Sequence, residues 1–126
     1  MHRSRLGGLI IDCQKGSLGE AARFWSRALG LAICPSRDAD DQNYAVFEEG
    51  PGGLDIEVQK VDHESRIHLD IETDDIEAEV ARLEGLGAKR VAWVKGWWVM
   101  EAPTGQRFCV VRARSANFAN DARTWE

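Results

Sequence analysis

Residues 66–88, RIHLDIETDDIEAEVARLEGLGA, decide how the rest of the chain is read. Ile67, Leu69 and Ile71 alternate with His68, Asp70 and Glu72, so the segment is a strand with one apolar and one polar face. A helix follows after a tight turn. Asp74 or Asp75 can cap it, Glu77 suits the positive end of its dipole, and Ile76, Val80, Leu83 and Leu86 recur at helical spacing until Gly87 stops it. The acidic run from Glu72 to Glu79 reads as a mostly solvated helix start.

The same strand and helix occur earlier. Leu9 to Ile11 is apolar and ends at Asp12, and Ser17 with Glu20 three positions later is a capping-box signature. Leu18, Ala22, Trp25 and Ala28 repeat the helical spacing of Ile76, Val80, Leu83 and Leu86, and Leu29-Gly30 matches Leu86-Gly87. Two such units in one short chain imply a duplicated fold.

Between and after them, the reading places strands over 31–35, 44–48, 54–61, 91–94, 97–101 and 107–112. Leu54, Ile56 and Val58 face one way and Asp55, Glu57 and Gln59 the other. Solvated turns are expected at 36–42 and 50–53, and tight turns at Lys95-Gly96 and Pro103-Thr104-Gly105. The order is β-α-β-β-β twice. This is an α+β protein: two βαβββ modules forming a curved, mainly antiparallel sheet, helices on its convex face and a concave ligand cup opposite. Residues 5–113 make a single domain, with modules about 5–61 and 66–113, and 114–126 form a C-terminal tail or short helix, with Phe118 and Trp125 as apolar anchors, expected to lie against a partner.

Composition narrows the function. A chain of 126 residues with 44% hydrophobic content can bury one core without disulfides or metals. A net charge of −5 with scattered basic residues argues against nucleic acid. No apolar run approaches a membrane span or a signal peptide, so a cytoplasmic location is expected. Cys13, Cys34 and Cys109 are odd in number and lack CxxC spacing, which argues against a disulfide framework.

The paired order, together with ARFWSRALG at 22–30, the 66–88 stretch and EAPTGQRFCVV at 101–111, resembles the vicinal oxygen chelate superfamily, and within it the glyoxalase-like and bleomycin-resistance-like small proteins. The likeness spans about residues 5–112. It implies a divalent metal in the cup, held from the first, fourth, fifth and eighth strands. Those slots fall near Gly8 or Ile10, on Gln59 or Glu57, on His68, and on Cys109. Neither first-strand residue can ligate, so no cofactor is expected; any metal would rest on His68, Gln59 or Glu57, and Cys109.

The polar residues of the cup then carry the chemistry. Asp12, Glu57, Gln59, His68, Asp70 and Cys109 are the candidates, with Trp98 and Met100 as an apolar wall. His68 is the candidate catalytic base, because imidazole titrates near neutrality. It lies about 7 Å along an ideal strand from Asp70, too far for a direct bond without a bend. Trp93, Trp97 and Trp98 suit either a dimer interface or an aromatic ligand wall. Two functions stay open. One is a homodimer that binds a small molecule, such as an aromatic, without a complete catalytic metal site; the other is a lyase, isomerase or dioxygenase of the glyoxalase type, or a metal-free acid/base enzyme using His68.

Overall fold

The computed structural model describes residues 1–34, 43–48 and 50–126, and these divide into two compact units. The expected turn at 36–42 lies outside the described residues.

One unit comprises Gly8–Ile67. It contains the second half of β1 (His2–Cys13), α1 (Leu18–Leu29), β2 (Tyr44–Val46) and β3 (Asp55–Lys60). The local signals read from the sequence operate here. Ser17 Oγ accepts the Glu20 N–H at the start of α1, and Gly30 ends the helix with φ 71°, a left-handed conformation that costs glycine little. β3 runs parallel to β1 and antiparallel to β2, giving the order β2-β3-β1. The strand expected from 31 is reduced to an isolated bridge between Ile33 and Phe47, supported by the Cys34 N–H to Val46 O and Glu48 N–H to Ala32 O bonds. Ile11, Cys13, Ile56 and Val58 face Ala21, Ala22 and Trp25 of α1 to form a small core. Ala28, expected on the buried stripe, is exposed.

The other unit joins Met1–Gly7 to His68–Glu126. It holds most of β4 (Arg66–Thr73), then α2 (Ile76–Gly85), β5 (Lys89–Val94), β6 (Trp97–Glu101), β7 (Arg107–Arg112), α3 (Phe118–Asp121) and β8 (Arg123–Trp125). Its order is β4-β7-β6-β5, with β4 and β7 parallel and the hairpins β5-β6 and β6-β7 antiparallel. This is the plan of the first unit repeated, β4 standing for β1, β7 for β3 and β6 for β2, with the bridge at Ile33 as the remnant of a β5 equivalent. The α+β class and the βαβββ modules are therefore present. Lys95 and Gly96, with φ 48° and 108°, make the two-residue turn between β5 and β6.

The core of this unit is Val80, Leu83, Ala88, Met100 and Val110, with Ile71, Trp98 and Phe108 against it. Val80, Met100 and Val110 are wholly buried, each contributing about 1.5–3 kcal/mol by leaving water. Leu86 departs from the expected stripe. The helix ends at Gly85, so Leu86 becomes its C-cap and is 67% exposed.

The C-terminal stretch holds the short helix that the sequence allowed, α3, and beyond it a strand that the sequence did not announce. β8 pairs antiparallel with the start of β1, His2 opposite Trp125, and Arg3 donates to the carbonyls of Ala119 and Ala122. Nor is the acidic run at 72–79 simply a solvated helix start. Glu72 accepts the backbone N–H groups of Arg114 and Ser115, and Glu79 is wholly buried.

Candidate functional site

Alternation along β4 packs Ile71 into the core beneath α2, puts Leu69 on the same side but exposed, and leaves His68, Asp70 and Glu72 on the opposite face. In the parallel β4/β7 pair, Asp70 lies directly opposite Cys109, and across the next ladder Cys109 lies opposite Val99. Directly paired residues share a face, so His68, Asp70 and Cys109 converge on the polar side. The His68 Nε2 to Asp70 Oδ1 distance is 3.6 Å, with both side chains 13% exposed. The expected 7 Å gap is thus closed by the side chains leaning together. With the Cys109 thiol, their ligand atoms all lie within 4.8 Å of one another. Arg107 and Glu101, paired at 3.2 Å, occupy the same face farther along.

Trp98 and Met100 require a correction. Met100 pairs with Phe108 and Trp98 with Val110, the residues that pack beneath α2, so both lie on the helix side of the sheet and not beside Cys109. Met100 is wholly buried. Trp98 sets its ring edge-on to Trp93 at 5.5 Å, places it 5.0 Å from the Arg90 guanidinium, and donates its indole N–H to Glu77. The alternating pattern allowed either Trp97 or Trp98 on the polar side; the hairpin register selects Trp97, which shares a face with Val99.

The remaining candidates belong to the first unit. Asp12 pairs with Gln59 and Ile10 with Glu57, on the face of that unit away from α1. Asp12 is buried, 3.8 Å from Arg66 Nε. Gly8 sits where an added Cβ would lie 2.5 Å from the backbone oxygen of Asp55. That close approach, as well as the missing side chain, removes position 8 as a ligand.

A concavity of about 490 Å³ is lined in this unit by Asp12, Cys13, Phe24, Trp25, Arg66 and Ile67, among others. Its cysteine is poorly suited to nucleophilic work. Burial and the neighbouring Asp12 charge push the Cys13 thiol up, against smaller lowering from Lys60 and Trp25, so the thiolate is disfavoured.

One buried charge cluster escaped sequence reasoning. Glu79 accepts from both Nε and a terminal nitrogen of Arg82, at 2.8 and 2.7 Å, and lies 2.8 Å from His2 Nε2. Burial pulls its carboxyl up, but hydrogen bonds from Arg82, His2 and Ser4 outweigh it and hold the group below the usual carboxylate range. The Arg82 guanidinium stacks 3.9 Å over the Trp125 ring, whose indole N–H donates to Ser4 Oγ. These groups tie the two termini to α2. The signal was there in the buried spacing of Glu79 within Ile76–Leu83, but an acidic residue in a first helical turn is ordinarily solvated.

Comparison with known proteins agrees with the topology. A family model for the glyoxalase-like domain matches residues 8–111. No curated protein matches the sequence. Methylmalonyl-CoA epimerase from Mycobacterium tuberculosis superposes with a TM-score of 0.58 at 16% identity, covering 86% of this chain and 87% of that one. The Mn(II)-bound glyoxalase from Novosphingobium aromaticivorans gives 0.60 at 16% identity, over 90% of this chain and 43% of that one. A homoprotocatechuate 2,3-dioxygenase from Brevibacterium fuscum gives 0.58 at 15%, over 92% and 39%. At these identities the likeness is one of fold, and the three proteins, an epimerase, a glyoxalase and a dioxygenase, differ in their chemistry. Among the described residues, no helix is long and apolar enough to cross a membrane.

Proposed function

The chain belongs to the glyoxalase-like domain family, and on that premise we propose that it binds a small polar organic molecule, aromatics included, at His68, Asp70 and Cys109. The observation that carries this reading is the convergence of these three side chains, Asp70 and Cys109 on directly paired positions of β4 and β7 and His68 two residues before Asp70, largely withdrawn from solvent. Imidazole can donate or accept, and carboxylate accepts, so a ligand bearing hydroxyl and carbonyl groups finds complementary partners there. The four-slot metal arrangement that the family resemblance implies is not met by this chain. Gly8 and Ile10 offer no donor, and Gly8 has no room for one. Stoichiometric capture, of the kind attributed to bleomycin-resistance-like proteins, is therefore favoured over turnover.

A homodimer is part of the proposal. β5 is last in the strand order of its unit, and it carries Val91 and Trp93 at 42% and 54% exposure, apolar area that a second copy would cover. Light scattering tests this directly: a monomer at micromolar concentration removes the dimer from the reading.

A catalytic reading is favoured by one observation, the 3.6 Å approach of His68 to Asp70. A carboxylate at that distance can orient an imidazole for proton transfer. One experiment addresses both readings. A thermal-shift and calorimetric screen of small hydroxy-carbonyl and phenolic compounds is run on wild type and on His68→Ala. Ligands that bind wild type and lose about tenfold or more with His68→Ala support the site, and substrate consumed beyond one equivalent supports catalysis. Ligands whose affinity ignores His68 would move the site elsewhere.

A further inference from the structure

We propose that the concavity beside α1 is a second small-molecule site, one that takes an uncharged planar aromatic carrying an N–H or O–H donor, an indole or a phenol. It shares no residue with the His68, Asp70 and Cys109 face and stands independently of that reading. The ligand class comes from the duplication. The other unit fills the corresponding place with an indole of its own, the ring of Trp125.

The two helices align from their N-caps, Ser17 on Asp75, so that Ala22 and Trp25 match Val80 and Leu83 in the cores while Ala21 matches Glu79 and Phe24 matches Arg82. In the unit of α2, Trp125 rests against that pair: the Arg82 guanidinium lies 3.9 Å over its ring, and its indole N–H donates to Ser4 Oγ at 2.8 Å. Trp125 comes from β8, a strand beyond the repeated βαβββ plan, and the first unit has no counterpart of it among the described residues. There Ala21 and Phe24 line an open hollow of about 490 Å³, within the roughly 300–1,000 Å³ of small-molecule pockets. Its floor, Ile11, Cys13 and Ala21, is buried, but its apolar walls Phe24 and Ile67 are each 60% exposed, area that an inserted ring would cover.

The substitutions between the copies set the chemistry. Ala21 in place of Glu79 removes a buried carboxylate and leaves room, and Phe24 in place of Arg82 turns a guanidinium wall into an aromatic one. Phe24 already meets Trp25 edge-on, with ring centroids 5.0 Å apart, so a third ring gains the offset or edge-to-face contacts that an aliphatic body lacks. The charged residues of the lining, Lys15 and Arg66 against Asp12 and Glu20, cancel, so a charged tail of either sign gains little. Ser65 supplies the polar partner. Its hydroxyl accepts the Gln14 N–H at 2.9 Å and has a further lone pair for a ligand donor, as Ser4 accepts from Trp125 in the other unit.

The test titrates the full chain with indole, and with indane as the hydrocarbon of the same shape that lacks the donor, by calorimetry and amide chemical-shift mapping. The expected result is one equivalent of indole with a dissociation constant on the order of 0.1–1 mM, as suits about nine non-hydrogen atoms, and indane weaker by about three- to tenfold. Amide shifts should fall at 11–13, 20–25 and 65–67. Phe24→Ala, which trims an exposed wall, and Ala21→Leu, which fills the hollow, should each weaken indole about fivefold or more. Ser65→Ala should erase the difference between indole and indane, and His68→Ala should change nothing. Circular dichroism and thermal unfolding establish that each variant is folded, and Phe24→Ala keeps the test decisive if the buried Ala21 variant is not. Absence of saturable binding, or an affinity that survives both Phe24→Ala and Ala21→Leu, would overturn the proposal. Indole lost with His68→Ala alone would assign it to the His68 face and overturn this site while supporting that one. A dimer that Phe24→Ala converts to monomer in sedimentation would give the hollow to a second copy of the chain and likewise overturn it.

Discussion

Replacing Glu79 with glutamine tests the buried cluster that joins the termini to α2. The carboxylate is wholly buried and takes three close contacts, two from Arg82 and one from His2. Breaking a fully buried ion pair from one side costs about 3–5 kcal/mol. The Arg82 side chain is 25% exposed and keeps its stack on Trp125, so water recovers part of that cost and about 2–3 kcal/mol is expected. For 126 residues the unfolding entropy is roughly 0.26 kcal/mol/K, so the midpoint should fall by ~8–12 °C in a thermal melt at pH 7. Acid adds an independent readout. Because the folded pKa of Glu79 lies below its ordinary value of 4.5, its stabilisation is complete above that pH and is lost as pH falls through the depressed value. The stability gap between wild type and Glu79→Gln should therefore narrow below about pH 4.5, while Glu77→Gln, altering a side chain 69% exposed, shows little of either effect. A midpoint within 2 °C of wild type, or a gap constant from pH 6 to pH 2, would refute the reasoning.

Met100→Ala should cost ~2–5 kcal/mol in chemical denaturation, because the side chain is wholly buried beneath α2. Trp98→Ala should lower the melting temperature yet leave the affinity of His68-dependent ligands unchanged within about twofold, since its ring lies on the helix side. Gly7→Ala should lose ~1–3 kcal/mol, the new methyl falling 2.2 Å from Glu72 Cγ and disturbing the carboxylate that holds Arg114 and Ser115; calorimetry reads the loss. Lys95→Asn should raise the melting temperature by about 2 °C, because asparagine tolerates the left-handed turn position better than lysine. Gly8→His should destabilise by ~1–3 kcal/mol and gain no metal, judged by melting and by metal content after dialysis.

Much of the fold was legible because its signals are local. Ser17, Asp75, Gly30 and Gly87 cap or stop helices through their own side chains or φ values, and the alternation through Leu54–Gln59 and Ile67–Glu72 declares which face is apolar. Where partners come from distant sequence, the reading failed. Glu79 looks like any acidic residue in a first helical turn until His2, Ser4 and Arg82 surround it. Residues 123–125 carry no strand pattern, yet they pair with the start of β1 because Ser4 and Arg82 receive the Trp125 ring. For the site, His68, Asp70 and Cys109 could be named as single residues. Their convergence depends on the β4/β7 register, which no local pattern encodes, and the same register moves Trp98 and Met100 to the other face.

The two modules show why the candidate site's side chains gather in one of them. Aligning Leu9-Ile10-Ile11-Asp12 on Leu69-Asp70-Ile71-Glu72 keeps the two leucines, the two inward isoleucines and the terminal carboxylates in step. The same alignment sets Gly8 opposite His68 and Ile10 opposite Asp70. Ile11 in one copy and Ile71 in the other pack into the core beside a helix, and the differences at positions 8/68 and 10/70 fall on the other face. On that face the first copy has closed around its own backbone: Gly8 admits the Asp55 carbonyl to a distance that no side chain allows. A donor at position 8 would have to push apart the β1/β3 ladder, whereas His68 is seated within β4. The imidazole and the carboxylate therefore stand where the strand pair tolerates side chains, and the proposed binding site, drawn from β4 and β7 alone, leaves the first strand as it is.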